Sequence, residues 1–148
     1  MKVLIPVDGS EAALAAVRHV LALRSAGLRA DTVLVNVQET ASLYEMVVVH
    51  DANAMQQAAD QAGAHLLAPA LQLMNAAEAP CEALVATGDT VAMLIETCER
   101  QRAELIVMGA RAVGSVRGAL LGSTSQQVTQ RSPVPVTIVH ATRPNSSS

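Results

Sequence analysis

Residues 2–37 read KVLIPVDGSEAALAAVRHVLALRSAGLRADTVLVNV, and three textures succeed one another within them. KVLIPV (2–7) is a short β-rich run, and residues 10–26 place Ala13, Leu14, Val17, Val20, Leu21 and Leu23 at helical spacing. DTVLVNV (31–37) is β-branched again. Strand, helix and strand in that order make a βαβ unit, whose helix carries the chain back so that the two strands lie parallel.

The alternation continues outward from this unit. After a polar connection, residues 51–77 put Met55, Ala59, Ala62, Leu66 and Leu73 on one helical stripe, which Pro69 is expected to kink or split. CEALVATG (81–88) follows as a strand, 90–101 as a helix carrying Val91, Leu94, Ile95 and Cys98, and ELIVMG (104–109) as a strand. A short helix over 121–131 and a last strand VPVTIV (134–139) complete the series. Strands this rich in Val, Ile and Leu, with little alternation, are expected to be buried on both faces by helices. The expected fold is therefore α/β, a doubly wound five-stranded parallel sheet. A chain of 148 residues without an internal linker fits one domain, here 1–141, and the polar residues 142–148 are expected to form a disordered tail.

Composition excludes several function classes. A formal net charge of −3 and a single aromatic residue, Tyr44, offer neither an electrostatic footprint nor a stacking platform for nucleic acid. Every apolar run is broken well short of the roughly 18 residues needed to cross a bilayer, and the opening MKVLIPVDGSE lacks the long apolar segment of a secretory signal. A cytoplasmic location is expected. Cys81 and Cys98 lack C-x-x-C spacing and are expected to be buried reduced thiols. His19, His50, His65 and His140 show no metal-ligand spacing, so no metal site is assigned to protein side chains. Tyr44 and Met46–Val49 form an apolar cluster that is read as packing over the sheet edge.

In doubly wound sheets ligands bind beyond the carboxyl ends of the strands, where the winding reverses. Two loops follow strands suspiciously there. One is PVDGS, with Asp8 directly after the first strand; the other is GARAVGSVRGALLGSTS after the fourth, which holds Gly109, Gly114, Gly118 and Gly122, four of the chain's eight glycines. Backbone approaches a phosphate closely where Cβ atoms are absent, and a helix starting near Gly122-Ser123 would add its unpaired N–H groups and positive dipole end. Anion binding is the natural expectation. The stretch is not a P-loop, because Ser115-Val116 stands where Lys-[Ser/Thr] is required, and no G-x-G-x-x-G follows a strand.

The glycine stretch resembles the universal stress protein family. ATP-binding members carry G-x2-G-x9-G-[Ser/Thr] after the fourth strand, and Gly109, Ala112, Gly122 and Ser123 occupy those positions, the middle glycine being replaced. The opening VLIPVDGSEAALAAVRHVLAL, VLVNV, the GD after strand three, AELIVMGAR, LLGSTSQQV and SPVPVTIVH are similar to the family at matching separations. The resemblance implies strand order 3-2-1-4-5 with helices on both faces. It implies a cytoplasmic stress-response regulatory protein that binds ATP, with Mg2+ accompanying the triphosphate, or another adenine nucleotide. It also implies a homodimer through the last strand, Val134 to Val139.

Carried over residue by residue, the resemblance implies that Asp8 faces the ribose while Pro6 and the backbone near Val37 pack around or hydrogen-bond adenine. Met108, Gly109, Arg111 and the run Gly122, Ser123, Thr124 and Ser125 would surround the phosphates. Ala112 departs from the pattern. If its position is left-handed, alanine costs about 1–2 kcal/mol, roughly tenfold in affinity; in a right-handed turn it costs nothing. Several of these residues have a plainer reading beside the functional one. Asp8 with Glu11, or Ser10 alone, would cap the first helix, and Ser123, Thr124 and Ser125 would cap the fourth. Arg111 can serve equally as a solvated loop charge.

Three functions stay open at this point. The first is a nucleotide-binding regulatory module, and the second a dimeric interaction protein of the same fold that has given up nucleotide. The third is an enzyme, for which no nucleophile elbow, metal-ligand cluster or general base beside the phosphate loop is found. At most slow ATP hydrolysis or autophosphorylation, as the resemblance implies, is expected, and no catalytic residue is assigned.

Overall fold

The structure is a computed structural model and describes residues 1–39, 52–110 and 122–141. Tyr44, Met46–Val49, His50, Gly114, Gly118 and residues 142–148 lie outside the described residues. Strands β1 (Lys2–Pro6), β2 (Asp31–Gln38), β3 (Cys81–Thr87), β4 (Leu105–Ala110) and β5 (Val136–His140) alternate with helices α1 (Glu11–Ser25), α2 (Ala52–Ala76), α3 (Thr90–Gln101) and α4 (Ser123–Arg131). The strands form one parallel sheet in the order β3-β2-β1-β4-β5, the expected topology.

Pleating explains why the strands are apolar throughout. Alternate residues point to opposite faces, and both faces are covered. Val3, Ile5, Leu34 and Val107 meet α1 and α2 on one side, with Ala16, Val20, Leu67 and Met74. Leu4, Val33, Val35, Ile106 and Met108 meet α3 and α4 on the other, with Val91, Leu94, Cys98 and Val128. The central strands β1, β2 and β4 are buried, whereas the edge strands β3 and β5 are half-exposed along most of their length. Cys98 is buried and Cys81 half-buried; desolvation pushes both thiols above their usual range, with Glu99 adding to the effect on Cys98. Both are thus disfavoured as thiolates. His65 and His140 are exposed and His19 is partly so.

For α2 one expectation is narrowed and one corrected. Of the kink or split expected at Pro69, the split is not made, and the helix runs on for 25 residues. The lost hydrogen bond costs about 3 kcal/mol in an isolated helix, but the turns around it bury Leu67, Ala70 and Met74 against the sheet. The core stripe is also turned from Met55, Ala59, Ala62, Leu66 and Leu73 to Ala59, Gly63, Leu67, Ala70 and Met74. Gly63 decides the rotation: a Cβ there would lie 2.5 Å from Val85 Cγ2, so the bare side of the helix is the side that can approach β3.

Candidate functional site

The sheet reverses its winding between β1 and β4, and the two strands pair only near their beginnings, at Val3↔Leu105 and Leu4↔Ile106. On its other side β1 stays paired with β2 through Pro6↔Val35. A cavity of about 370 Å³ opens above this divergence, within the roughly 300–1,000 Å³ range of small-molecule sites. Its apolar floor is Pro6, Val35, Val37, Leu94 and Met108, and its polar rim includes Asp8, Asn36, Glu39, Thr90 and the run Gly122–Ser125. Of the residues expected from the sequence, Pro6, Asp8, Val37, Met108, Gly122, Ser123, Thr124 and Ser125 thus meet at one cavity. Arg111 and Ala112 lie outside the described residues.

Asp8 is held by the start of α1. Its Oδ1 accepts from the Ser10 backbone N–H at 3.0 Å and from the Ser10 hydroxyl at 2.5 Å. Ser10 Oγ in turn accepts from Ala13 N–H at 3.2 Å, so Ser10 is the cap of α1. Of the two capping schemes, Ser10 alone is the one built; Glu11 faces Arg18 instead, in an exposed pair at 3.9 Å. Gly9, at φ 87°, makes the sharp turn between Asp8 and Ser10 in a conformation that suits glycine. From below, the Asn36 side chain, 2% exposed, donates to the Val7 carbonyl at 2.8 Å and fixes the same loop. Gln38 donates to Asn36 Oδ1 at 2.6 Å and continues the network along β2.

Two helices start at the cavity rim. At α3 the Asp89 side chain accepts from Ala92 N–H at 3.0 Å, a side-chain cap. At α4 the cap residue is Gly122 and no side chain caps it, which corrects the expectation that the serine and threonine hydroxyls would do so. Those residues are already inside the helix, one to three positions past the cap. Ser125 is 4% exposed and its hydroxyl donates to the Gly109 carbonyl, 3.5 Å away, which ties α4 to β4. The first-turn N–H groups of α4 have no intrahelical acceptor and carry the positive end of its dipole, equivalent to about half an elementary charge.

At Gly109 the structure shows a packing demand beside the role that the glycine pattern implies. It shares the strand face of Val107, which meets α1, while Met108 points to the cavity face. A Cβ at Gly109 would lie 2.1 Å from the Ala12 carbonyl oxygen, so the bare backbone is what lets α1 lie on β4. Sequence reasoning missed Asn36, Glu39 and Thr90. Thr90 donates to Glu39 Oε1 at 2.9 Å across 51 residues of chain, and the two meet because Gly88 N–H donates to the Gln38 carbonyl at the end of the β2–β3 ladder. Nothing local marks that pair. The described lining carries two carboxylates, Asp8 and Glu39, and no Lys or Arg. Among the described residues no three His, Cys, Asp or Glu side chains converge to hold a metal ion, and no helix is long and apolar enough to cross a membrane.

A family model described as the Universal stress protein family matches residues 1–140. The chain is 38% identical over 58 residues to the universal stress protein in the QAH/OAS sulfhydrylase 3′ region of Thermus aquaticus. That match spans 39% of this chain and 42% of the relative's length. Among solved structures, a universal stress protein in complex with cAMP aligns with a TM-score of 0.67 and 24% identity, covering 96% of this chain and 98% of the other. A universal stress protein family protein from Arabidopsis thaliana with AMP bound aligns with a TM-score of 0.70 and 20% identity, covering 100% and 97%. At these identities the two structures show the shared fold.

Proposed function

The chain belongs to the universal stress protein family, and from that premise we propose that it is a regulatory protein binding an adenine nucleotide in the cavity between β1 and β4. The observation that carries this reading is the pairing, at one cavity, of an uncapped helix start at Gly122 with a carboxylate at Asp8 that Ser10 holds in place. A phosphate is favoured at the first, where amide donors and dipole act together. The second suits ribose hydroxyls, since a carboxylate accepts hydrogen bonds and ribose hydroxyls donate them. Pro6, Val37 and Leu94 offer aliphatic walls for the base, and Met108 lines the cavity toward α4. Relatives with AMP or cAMP bound support the ligand class.

ATP is the fuller form of this proposal. Arg111 is the side chain that the family resemblance assigns to its outer phosphates, and Mg2+ would be held mainly by phosphate oxygens and water. Calorimetric titration with AMP, cAMP and ATP, the last with and without Mg2+, tests the ligand. Asp8→Ala is expected to weaken every nucleoside-dependent complex. With no Trp and one Tyr, the protein absorbs weakly near 280 nm, so nucleotide carried through purification would show as a dominant 260 nm band. No heat with any nucleotide and no such band would overturn the reading.

A second reading rests on β5, which among the described residues is paired with β4 alone and is half-exposed from Val136 to Val139. An open, apolar parallel edge is a pairing surface, and a second copy of the chain is the partner we assign to it. Light scattering at micromolar concentration should give twice the 15.4 kDa chain mass. A dimer that ignores all nucleotides would favour an interaction protein over a nucleotide-binding one.

A further inference from the structure

The sheet order sets a direction along the cavity. The carboxyl ends of β2, β1 and β4 follow one another across it, each step being about 4.8 Å. Glu39 and Val37 stand at the β2 end, Asp8 in the middle, and Met108 with Ser123–Ser125 at the β4 end. A nucleotide whose phosphate meets α4 and whose ribose meets Asp8 therefore lays its base against the end of β2. There the cavity presents Glu39, whose Oε1 accepts from the Thr90 hydroxyl at 2.9 Å. Thr90 is the first residue of α3, so the carboxylate is tethered to a helix that Asp89 caps.

A carboxylate can accept hydrogen bonds but has none to give. At the base end of a nucleotide cavity it favours a base edge that carries an N–H donor and disfavours one that presents only acceptors. We infer that the Glu39 carboxylate, oriented by Thr90, reads the base by accepting a hydrogen from the exocyclic amine of adenine. This inference rests on the adenine-nucleotide reading above and adds a specificity-determining residue to it. Pro6 provides apolar contact and the Val37 backbone can meet the ring nitrogens, which both purines present alike; Glu39 supplies the discrimination at the amine.

The test compares AMP with purine riboside 5′-monophosphate, which is AMP without the amine, by calorimetric titration of the parent chain, Glu39→Ala and Thr90→Val. The parent is expected to bind AMP about tenfold more tightly than the analogue, the effect of one hydrogen bond to a charged group. Glu39→Ala should bring AMP down to the affinity of the analogue and leave the analogue unchanged. Thr90→Val should reduce the preference in the same direction while keeping the carboxylate. Thermal melts of each variant establish that the fold is retained, and Glu39→Gln, which keeps the shape and one acceptor oxygen, should hold a preference of a few-fold. If the parent binds both nucleotides equally, or Glu39→Ala weakens both alike, base reading by Glu39 is overturned while the nucleotide site stands. If neither nucleotide binds the parent, both readings fail together.

Discussion

Helices α3 and α4 start at the rim of one cavity and start differently. Asp89 folds back over the first turn of α3 and takes the Ala92 amide, whereas α4 begins at Gly122 with no side-chain cap hydrogen bond among the described residues. A cap typically stabilises a protein by about 1 kcal/mol, so a helix start left without one forgoes stability that a Ser or Asp would supply. The difference teaches where in this fold local stability ends and ligand recognition begins: the capped start builds the wall, and the uncapped start faces what the wall encloses. Four substitutions break or sharpen that contrast.

The largest effect is expected from Gly109→Ala. Its methyl would be placed 2.1 Å from the Ala12 carbonyl oxygen, so α1 must move off β4, with an expected loss of about 3 kcal/mol in urea unfolding. If Gly109 served phosphate approach instead, stability would hold and only nucleotide affinity would fall. Gly122→Asp comes next, because it gives α4 the cap that α3 has. AMP affinity is expected to fall at least about tenfold, or 1.4 kcal/mol, while the melting temperature holds or rises. Unchanged affinity would mean that the open amides of α4 are not the anion receptor.

Asp89→Ala makes the reverse change at α3. Stability should drop by about 1 kcal/mol, with AMP affinity within twofold of the parent; a large affinity loss would erase the contrast between the two helix starts. The smallest effect is expected from Ser125→Ala. Its hydroxyl meets the Gly109 carbonyl at a long 3.5 Å, so less than about 1 kcal/mol of stability should be lost. Affinity should stay near the parent value, because in the proposed site the anion meets backbone amides while this hydroxyl is turned to Gly109.

The architecture was legible in the sequence because each element announces its own period. KVLIPV, DTVLVNV and ELIVMG show the unbroken apolar texture of strands covered on both faces, and α1 buries Ala13, Val17 and Val20 as its spacing predicts. The errors share a cause. On α2 the sequence offers two adjacent apolar stripes, and the choice between them fell to Gly63 meeting Val85. At Pro69 the helix continues because burial on either side holds it. At Gly109 strand parity adds a packing demand, the close approach of Ala12, to the phosphate pattern that its spacing fits. Asp8, Gly122 and Ser123 were found because they adjoin element ends, where ligand sites gather in this topology. Glu39 and Thr90 were missed because their link is a contact between the ends of two strands.

Local chain chemistry, by itself, determined the alternation of strands and helices, the burial of the central strands and the two loops that border the cavity. These follow from period, side-chain volume and turn preference, which act over a few residues. The tertiary structure decided which stripe of α2 faces the core, which helix start stays uncapped, what Gly109 is for, and that Glu39 reaches Thr90. Those outcomes depend on atoms brought within a few ångströms from distant parts of the chain, where strand parity and the room for a single Cβ select among arrangements that are locally equal.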